Sequence, residues 1–209
     1  MPHLLKIDVS PRGDLSISRK LGKQFLSDWL ASHPGAQVTT RDLAETSIPF
    51  VDLPWIAGAY SSPDKHTDEH RKALLLSGEF IAELNSADHI LITTPMYNFA
   101  VPAKLKAWID HVVRVGLTFR ITPEGAYVGL LENKKLTVII ASSGSYPPGT
   151  PYETYDFEIP YLRHVAGFIG ITDVTFIRGG GTSGISSGKT TIEEFTAKLE
   201  PELAAAAKS

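Results

Sequence analysis

The chain alternates between short apolar runs and longer stretches whose apolar residues recur every three or four positions. The five apolar runs span residues 4–9, 37–42, 89–94, 136–142 and 172–177, and the second is the weakest. Most are nearly continuous and rich in Ile, Val, Leu or Thr, which is typical of strands covered on both faces, as in a parallel sheet. We therefore predict five buried parallel strands.

The stretches between these runs have the periodicity of amphipathic helices. In the first, Leu21, Phe25 and Trp29 fall on one face at helical spacing. Predicted helices cover 18–31, 68–84, 102–113, 155–170 and 192–207, and we expect Pro160 to limit the fourth and Pro201 to kink the fifth. This alternation predicts a three-layer α/β fold with right-handed crossovers, formed by residues 1–209 as a single domain. Two proline-containing segments, 48–65 and 144–151, are interpreted as surface loops.

Composition narrows the function classes. Hydrophobic residues make up 43% of the 209 residues and charged residues 21%, which are ordinary globular values. The net charge of -3 argues against a general electrostatic grip on nucleic acid. The chain contains no cysteine, which excludes disulfides, thiolate metal sites and a cysteine nucleophile. No stretch approaches the roughly 20 apolar residues of a membrane helix, and no signal peptide is recognised, so we expect a cytoplasmic protein that binds no membrane.

Candidate chemistry lies where strands one, three and four end. In the doubly wound order 2-1-3-4-5, ligands bind beyond the carboxyl ends of the strands, at the switch point between strands one and three. After strand one come Ser10, Arg12, Ser16, Ile17 and Ser18, just before a helix. Hydroxyls and free N–H groups at a helix start can hold a phosphate, but Ser16 or Ser18 can equally be an ordinary helix cap.

Strand three is followed by Pro95, Met96, Tyr97, Asn98 and Phe99. Flat rings beside an amide can enclose a planar heterocycle, or the same rings can pack into the core.

Strand four is followed by Ser142, Ser143, Gly144 and Ser145. Small residues let the backbone approach a ligand closely, although a plain Gly/Ser turn has the same composition.

The chain resembles the FMN-dependent NADH-azoreductases, which are close to the flavodoxin-like NAD(P)H:quinone reductases. The resemblance rests on PMYNF at 95–99, GLTFR at 116–120 and GFIGITD at 167–173, which occur in order and at family-like spacing. It implies a flavodoxin-like fold with bound FMN, whose phosphate lies at Ser10 and 16–18. It also implies that 96–99 contact the isoalloxazine and that 142–145 lie near its pyrimidine or dimethylbenzene side.

The resemblance further implies a homodimer with its flavin sites at the subunit interface and a ping-pong, two-electron cycle. NADH or NADPH would reduce the flavin, which would then reduce a quinone or an azo compound. The chemistry belongs to the flavin, so we nominate no catalytic side chain. Four substrate-side candidates are Trp55, Tyr60, Ile121 and Val165. The alternative from another class is a flavin-binding electron carrier or redox-responsive regulator without broad turnover.

Two further motifs are interpreted as structural. The segment 184–190, GISSGKT, resembles a phosphate-binding P-loop, but Ser183 stands where that motif needs its first glycine. We expect a Gly-rich loop at 179–188, with Ser186 or Thr190 capping the last helix. His66 and His70 have the spacing of a metal-binding pair without further ligands nearby, so we expect a solvated helix face and no metal site.

Overall fold

The computed structural model describes residues 1–208 and contains a five-stranded parallel sheet. The strands are β1 (His3–Asp8), β2 (Gln37–Asp42), β3 (His89–Pro95), β4 (Phe119–Ile121), β5 (Tyr127–Gly129), β6 (Lys135–Ser142) and β7 (Asp173–Gly180). The sheet order is β2-β1-β3-β6-β7, and β4 pairs with β5 in a separate antiparallel hairpin. The predicted order 2-1-3-4-5 is confirmed, because β6 and β7 are the fourth and fifth strands of the sheet.

Helices cover both faces of the sheet. They are α1 (Ile17–Ser32), α2 (Leu53–Ala59), α3 (Asp68–Ser86), α4 (Ala103–Val112), α5 (Glu158–Phe168), α6 (Ser183–Ser186), α7 (Ile192–Ala197) and α8 (Glu200–Lys208). One face packs against α1, α7 and α8, and the other packs against α3, α4 and α5. This is the predicted three-layer arrangement.

The continuous apolar runs are explained by the two faces of the strands. On β1, Leu4 packs into the cluster that includes Phe25 of α1, whereas Leu5 and Ile7 pack into the cluster on the opposite face. All three side chains are at most 1% exposed. Successive residues of a strand point to opposite faces, so a strand covered on both sides needs apolar residues throughout.

Helix α1 lies unusually close to the sheet at Gly22. A Cβ atom added there would stand 2.4 Å from Cγ2 of Thr93 on β3, so only glycine fits without a shift. This close approach brings the start of α1 next to the carboxyl ends of β1 and β3.

The segment 48–65 is not simply the loop that we predicted, because it contains α2. The Asp52 side chain accepts a hydrogen bond from the backbone N–H of Trp55 at 2.9 Å, and Pro54 occupies the first turn. Both are helix-start signals that we overlooked because the segment is short and contains several prolines.

Three other local expectations are corrected. The hairpin β4–β5 was not predicted, since each strand has only three residues. The last predicted helix is two helices, α7 and α8, and Pro201 lies in the first turn of α8. Thr191, not Ser186 or Thr190, caps α7 through a capping box with Glu194, and the loop expected at 179–188 contains the end of β7 and the short α6.

A membrane-spanning helix is absent from residues 1–208, because none of their helices is both long and apolar enough.

Candidate functional site

The carboxyl ends of β1, β3 and β6 meet around a cavity of about 250 Å³, which we call the outer cavity. Predicted site residues from all three turns line it, together with Ala141 and Thr182. Those predicted residues are Ser10, Arg12, Ser16, Ile17, Ser18, Pro95, Met96, Tyr97 and Ser143. The turns that are distant in the sequence therefore converge at one edge of the sheet.

The start of α1 forms one wall of the outer cavity. Ser16 caps the helix, since its Oγ accepts a hydrogen bond from the backbone N–H of Arg19 at 3.4 Å. Its Oγ also lies 3.2 Å from Oγ of Ser18, and both hydroxyls are buried. As the first residues of the helix, Ile17 and Ser18 have backbone N–H groups without acceptors in the preceding turn of helix. Capping and anion binding are thus compatible at the same serine.

A partly buried ionic network under this wall fixes its shape. The Arg19 guanidinium donates to both carboxylate oxygens of Asp42, at 2.5 and 2.7 Å, and to the carbonyl oxygen of Ser10. The hydrogen bond to Asp42 raises the pKa of Arg19. Asp8 lies 3.7 Å from the same guanidinium and accepts a hydrogen bond from Thr93 of β3. Arg19 therefore ties the loop after β1 to β2, a role that our sequence reasoning missed.

The turn after β3 is a tight reversal at residues 97–100. Tyr97 and Ala100 exchange two backbone hydrogen bonds of 3.1 Å each, while Asn98 and Phe99 have φ angles of 48° and 71°. Two consecutive positive φ angles between such a pair define a type I′ turn. Asn tolerates this conformation, but for Phe it costs on the order of 1–2 kcal/mol. A strained backbone of this kind persists only where its surroundings hold it.

A second, smaller cavity of about 190 Å³, the inner cavity, adjoins the outer one at Met96, which lines both. Ser142 and Ser145 line it, together with Tyr146 and Arg178. The predicted residues Asn98, Phe99 and Gly144 line neither cavity. Asn98 and Phe99 form the exposed tip of their turn, and the Tyr146 ring lies over Gly144, where an added Cβ would stand 2.5 Å from the hydroxyl oxygen.

The loop after β6 is fastened through its carbonyl groups. Gly144 O accepts the N–H of Gly181 at 2.9 Å, and Ser142 O accepts the N–H and the hydroxyl of Thr182 at 3.0 and 3.1 Å. Within residues 1–208, no protein acceptor takes the N–H groups of Ser143 or Gly144. This loop can therefore offer backbone donors to a ligand.

Aromatic side chains border the turn after β3. The Phe99 ring centroid lies 6.1 Å from that of Tyr146 and 5.7 Å from that of Tyr155. Tyr152 extends the group through Tyr155. Phe99, Tyr152 and Tyr155 are each about half exposed or more. Of these rings, sequence reasoning identified only Phe99. Tyr146 lies in the segment 144–151 that we interpreted as a surface loop, Tyr155 was assigned to a predicted helix, and Tyr152 was assigned to no element.

The four substrate-side candidates are not brought to these two cavities within one chain. Trp55 is buried in α2 and, together with the exposed Tyr60, lines a separate cavity of about 470 Å³ beside Arg114. Ile121 is exposed on β4. Val165 lies on the core side of α5, packed against the hydrophobic cluster.

Thr182 at the outer cavity was also missed by sequence reasoning. It lies two residues after the end of β7, which neighbours β6, so the sheet order itself was the signal that could have found it. Nε2 of His66 forms a hydrogen bond with the carbonyl oxygen of Gly58 at 2.9 Å, so this side chain contacts α2. Lys106 and Asp110, one helical turn apart on α4, form an ion pair at 2.6 Å.

The geometry matches that of a known family. A family profile described as a flavodoxin-like fold matches residues 2–203. The chain belongs to this flavodoxin-like family. Among similar members, the FMN-dependent NADH:quinone oxidoreductase 2 of Trichormus variabilis is 53% identical over 85% of this chain and 86% of its own length. A Jannaschia protein of the same name is 46% identical over 100% of both chains.

Solved structures of family members superpose closely. An azoreductase from Bacillus anthracis gives a TM-score of 0.88 at 27% identity, covering 100% of this chain and 99% of its own. An FMN-dependent NADH-azoreductase from Bacillus anthracis, solved in complex with FMN, gives 0.86 at 26% identity and covers 98% of this chain and 97% of its own. The resemblance inferred from the sequence motifs is confirmed.

Proposed function

We propose that this protein is an FMN-dependent oxidoreductase that uses NADH or NADPH to reduce quinones and azo compounds. The observation that carries the proposal is the convergence of three turns on one edge of the sheet, with serine hydroxyls at one wall and the turn after β3 at another. The names of the relatives support the same cofactor and reaction class.

The start of α1 fits the phosphate of FMN. A helix N-terminus carries a partial positive charge and free N–H groups, here at Ile17 and Ser18. The hydroxyls of Ser16 and Ser18 add donors, and the exposed Arg12 at the rim of the cavity adds a positive charge. We assign the phosphate to this wall.

The turns after β3 and β6 fit the ring system. Tyr97 is partly exposed beside Met96 and offers an aromatic wall, and the N–H groups of Ser143 and Gly144 can donate to polar atoms on the ring edge. When bound, FMN would supply the redox chemistry, which is hydride transfer from the nicotinamide followed by two-electron reduction of the acceptor in a ping-pong cycle. The protein binds and orients it, and backbone donors stabilise negative charge that develops on the ring.

A homodimer with the flavin sites at its interface is part of the proposal. Phe99, Tyr152, Tyr155 and Phe157 are between 45% and 62% exposed around the turn after β3. Single exposed apolar residues are normal, but a contiguous group beside a binding site is typical of an interaction surface. We propose that a second copy covers this group, and that Tyr60 and Ile121 reach the substrate only in that assembly.

The runner-up is a flavin-binding electron carrier or regulator. Dedicated electron carriers often have a strong one-sign surface that steers their partners, whereas the net charge here is only -3. The enzyme is therefore the better explanation. The absence of cysteine fits a reducing compartment, and we propose the cytoplasm as its location.

Anaerobic titration separates the two. Purified protein loaded with FMN should lose its visible flavin absorbance on addition of one equivalent of NADH or NADPH. One equivalent of quinone should then restore it. A flavin that binds but is reduced by neither nicotinamide would favour the carrier, and a protein that binds no FMN would refute both.

A further inference from the structure

A carboxylic acid is buried at the start of α5, behind the turn after β3. Glu158 has no exposed surface, and its Oε1 lies 3.1 Å from Oγ1 of Thr94, which is also fully buried. Its Oε2 has no hydrogen-bond partner among the described residues. The flavin chemistry proposed above makes no use of this group.

The contacts of the Thr94 hydroxyl favour a proton on this carboxyl. Oγ1 of Thr94 has two acceptors, Oε1 of Glu158 and the carbonyl oxygen of Pro95, each at 3.1 Å. A hydroxyl has one hydrogen and cannot donate a full hydrogen bond to each acceptor. Both contacts are satisfied if protonated Glu158 donates to Thr94, which leaves the Thr94 hydrogen for Pro95. The proton of Glu158 thereby fixes the Pro95 carbonyl, where the turn begins.

The surroundings favour the neutral form. Burial, opposed by the Thr94 contact and supported by the negative charge of nearby Asp156, raises the pKa of Glu158 to about 9. The cation on β7, Arg178, is committed to Asp156, whose Oδ2 accepts from it at 2.7 Å. The other Asp156 oxygen accepts the N–H groups of Glu158 and Ile159, so it serves as the cap of α5.

The same helix start holds the other end of the turn. The N–H of Phe157 donates to the carbonyl oxygen of Phe99 at 3.0 Å. Residues 95 and 99 are thus both attached to the beginning of α5. Of the two residues with positive φ angles, Asn98 lies between these attachments and Phe99 is itself one of them. A strained turn needs this kind of external support to stay in one conformation.

We propose that Glu158, acting as a neutral hydrogen-bond donor through Thr94, is a positioning residue that holds the flavin-contacting turn at 96–99. The inference rests on the proposed function, because it takes that turn to be a flavin contact. Glu158 touches neither cavity. Its effect reaches the flavin only through Thr94 and Pro95.

The test compares wild type with Glu158→Gln, which stays neutral and keeps a donor, and with Glu158→Leu, which has none. Glu153→Gln, an exposed neighbour before α5, is the matched control. Amide exchange of the turn is followed in flavin-free protein, where Ala100 N–H is bonded to Tyr97. FMN and riboflavin affinities are measured in parallel, each at about pH 7 and about pH 10.

We expect Glu158→Leu to speed exchange of the turn and to weaken both flavins by about fivefold to tenfold at either pH, the scale of one lost hydrogen bond. Wild type and Glu153→Gln should show the faster exchange and the weaker flavin binding only at the higher pH, because Glu158 is then ionised. Glu158→Gln should show neither change at either pH. The four proteins are compared with one another at the same pH, so ionisation of the flavin ring and the intrinsic pH dependence of amide exchange affect all of them equally.

Equal exchange in all four proteins at both pH values would overturn the proposal. Faster exchange with unchanged flavin affinity would also overturn it, because the turn would then not be a flavin contact. Wild-type protein that binds neither flavin at pH 7 refutes the proposed function instead, and the exchange data still report whether Glu158 holds the turn.

Discussion

Replacing Ser16 and Ser18 together by alanine removes both side-chain hydroxyls from the wall assigned to the phosphate. The two oxygens lie 3.2 Å apart and are buried at the first turn of α1. The change leaves the ionic network of Arg19 and Asp42 intact, because the Arg19 guanidinium binds the Ser10 carbonyl and Asp42, and only the backbone N–H of Arg19 bonds to Ser16.

Two free energies change in this variant, and they must be separated. Loss of hydrogen bonds to a charged group should weaken FMN binding by about 1–3 kcal/mol, or roughly 5- to 150-fold in Kd. Loss of the Ser16 cap should also lower the free energy of unfolding by about 1 kcal/mol. Thr67→Ala is the matched control for the second effect, because Thr67 caps α3 in the same way, accepting from His70 N–H at 3.2 Å.

Titration with FMN and with riboflavin, which lacks the phosphate, gives the decisive comparison. The double variant should lose affinity for FMN and keep its affinity for riboflavin. Thr67→Ala should lose only stability, measured by urea unfolding, and bind both flavins as wild type does. Equal losses for FMN and riboflavin would refute the phosphate assignment, and so would an unchanged FMN affinity.

Three further predictions concern the turn, the helix and the core. Asn98→Gly keeps a residue suited to positive φ but removes the side-chain amide. It should change the rate of flavin reduction by NADH in stopped flow and alter the free energy of unfolding by less than about 1 kcal/mol. Asn133→Gly, at φ 59°, is the control that should leave the rate unchanged. Gly22→Ala should destabilise by about 1–3 kcal/mol in urea unfolding, and adding Thr93→Ser, which removes the clashing methyl, should recover much of the loss; no recovery would contradict the clash. Burial lowers the pKa of His89 from 6.5 to about 4, so between these pH values the unfolded chain binds a proton that the folded chain does not. The free energy of unfolding should therefore fall by up to about 3 kcal/mol between pH 6.5 and 4. His89→Gln should flatten that profile, and an equally steep one would assign the acid sensitivity to other groups.

The sheet was predictable because its strands are buried on both faces. Runs such as 89–94 and 136–142 leave no alternative to a covered strand, and the structure extends each by only one residue. The hairpin was not predictable in this way, since only Phe119 of its six strand residues is buried. Short elements carry too few core contacts to impose a periodic pattern on the sequence.

The residues of the candidate site also differ in how far the sequence predicts their positions. Ser16 and Met96 could be found because they directly follow a strand or open a helix, and the fold rule places such residues together. Val165 could not be placed, because which side of α5 faces the sheet depends on packing that local sequence does not state. Arg19 looked like an ordinary surface cation on a helix, and its bond to Asp42 joins elements 23 positions apart.

The carbonyl bonds from Gly144 and Ser142 to residues 181–182 have a practical consequence for redesign. These bonds join the loops after β6 and β7, so a change in backbone length at 181–183 would be transmitted to the wall of the outer cavity. In the stretch that follows, Ile185 and Ser186 line a neighbouring cavity together with Arg12 and Ser143, whereas residues 187–190 line none of these cavities. Insertions that tether a reporter or a second enzyme should therefore be tolerated at 187–190 and not at 181–183.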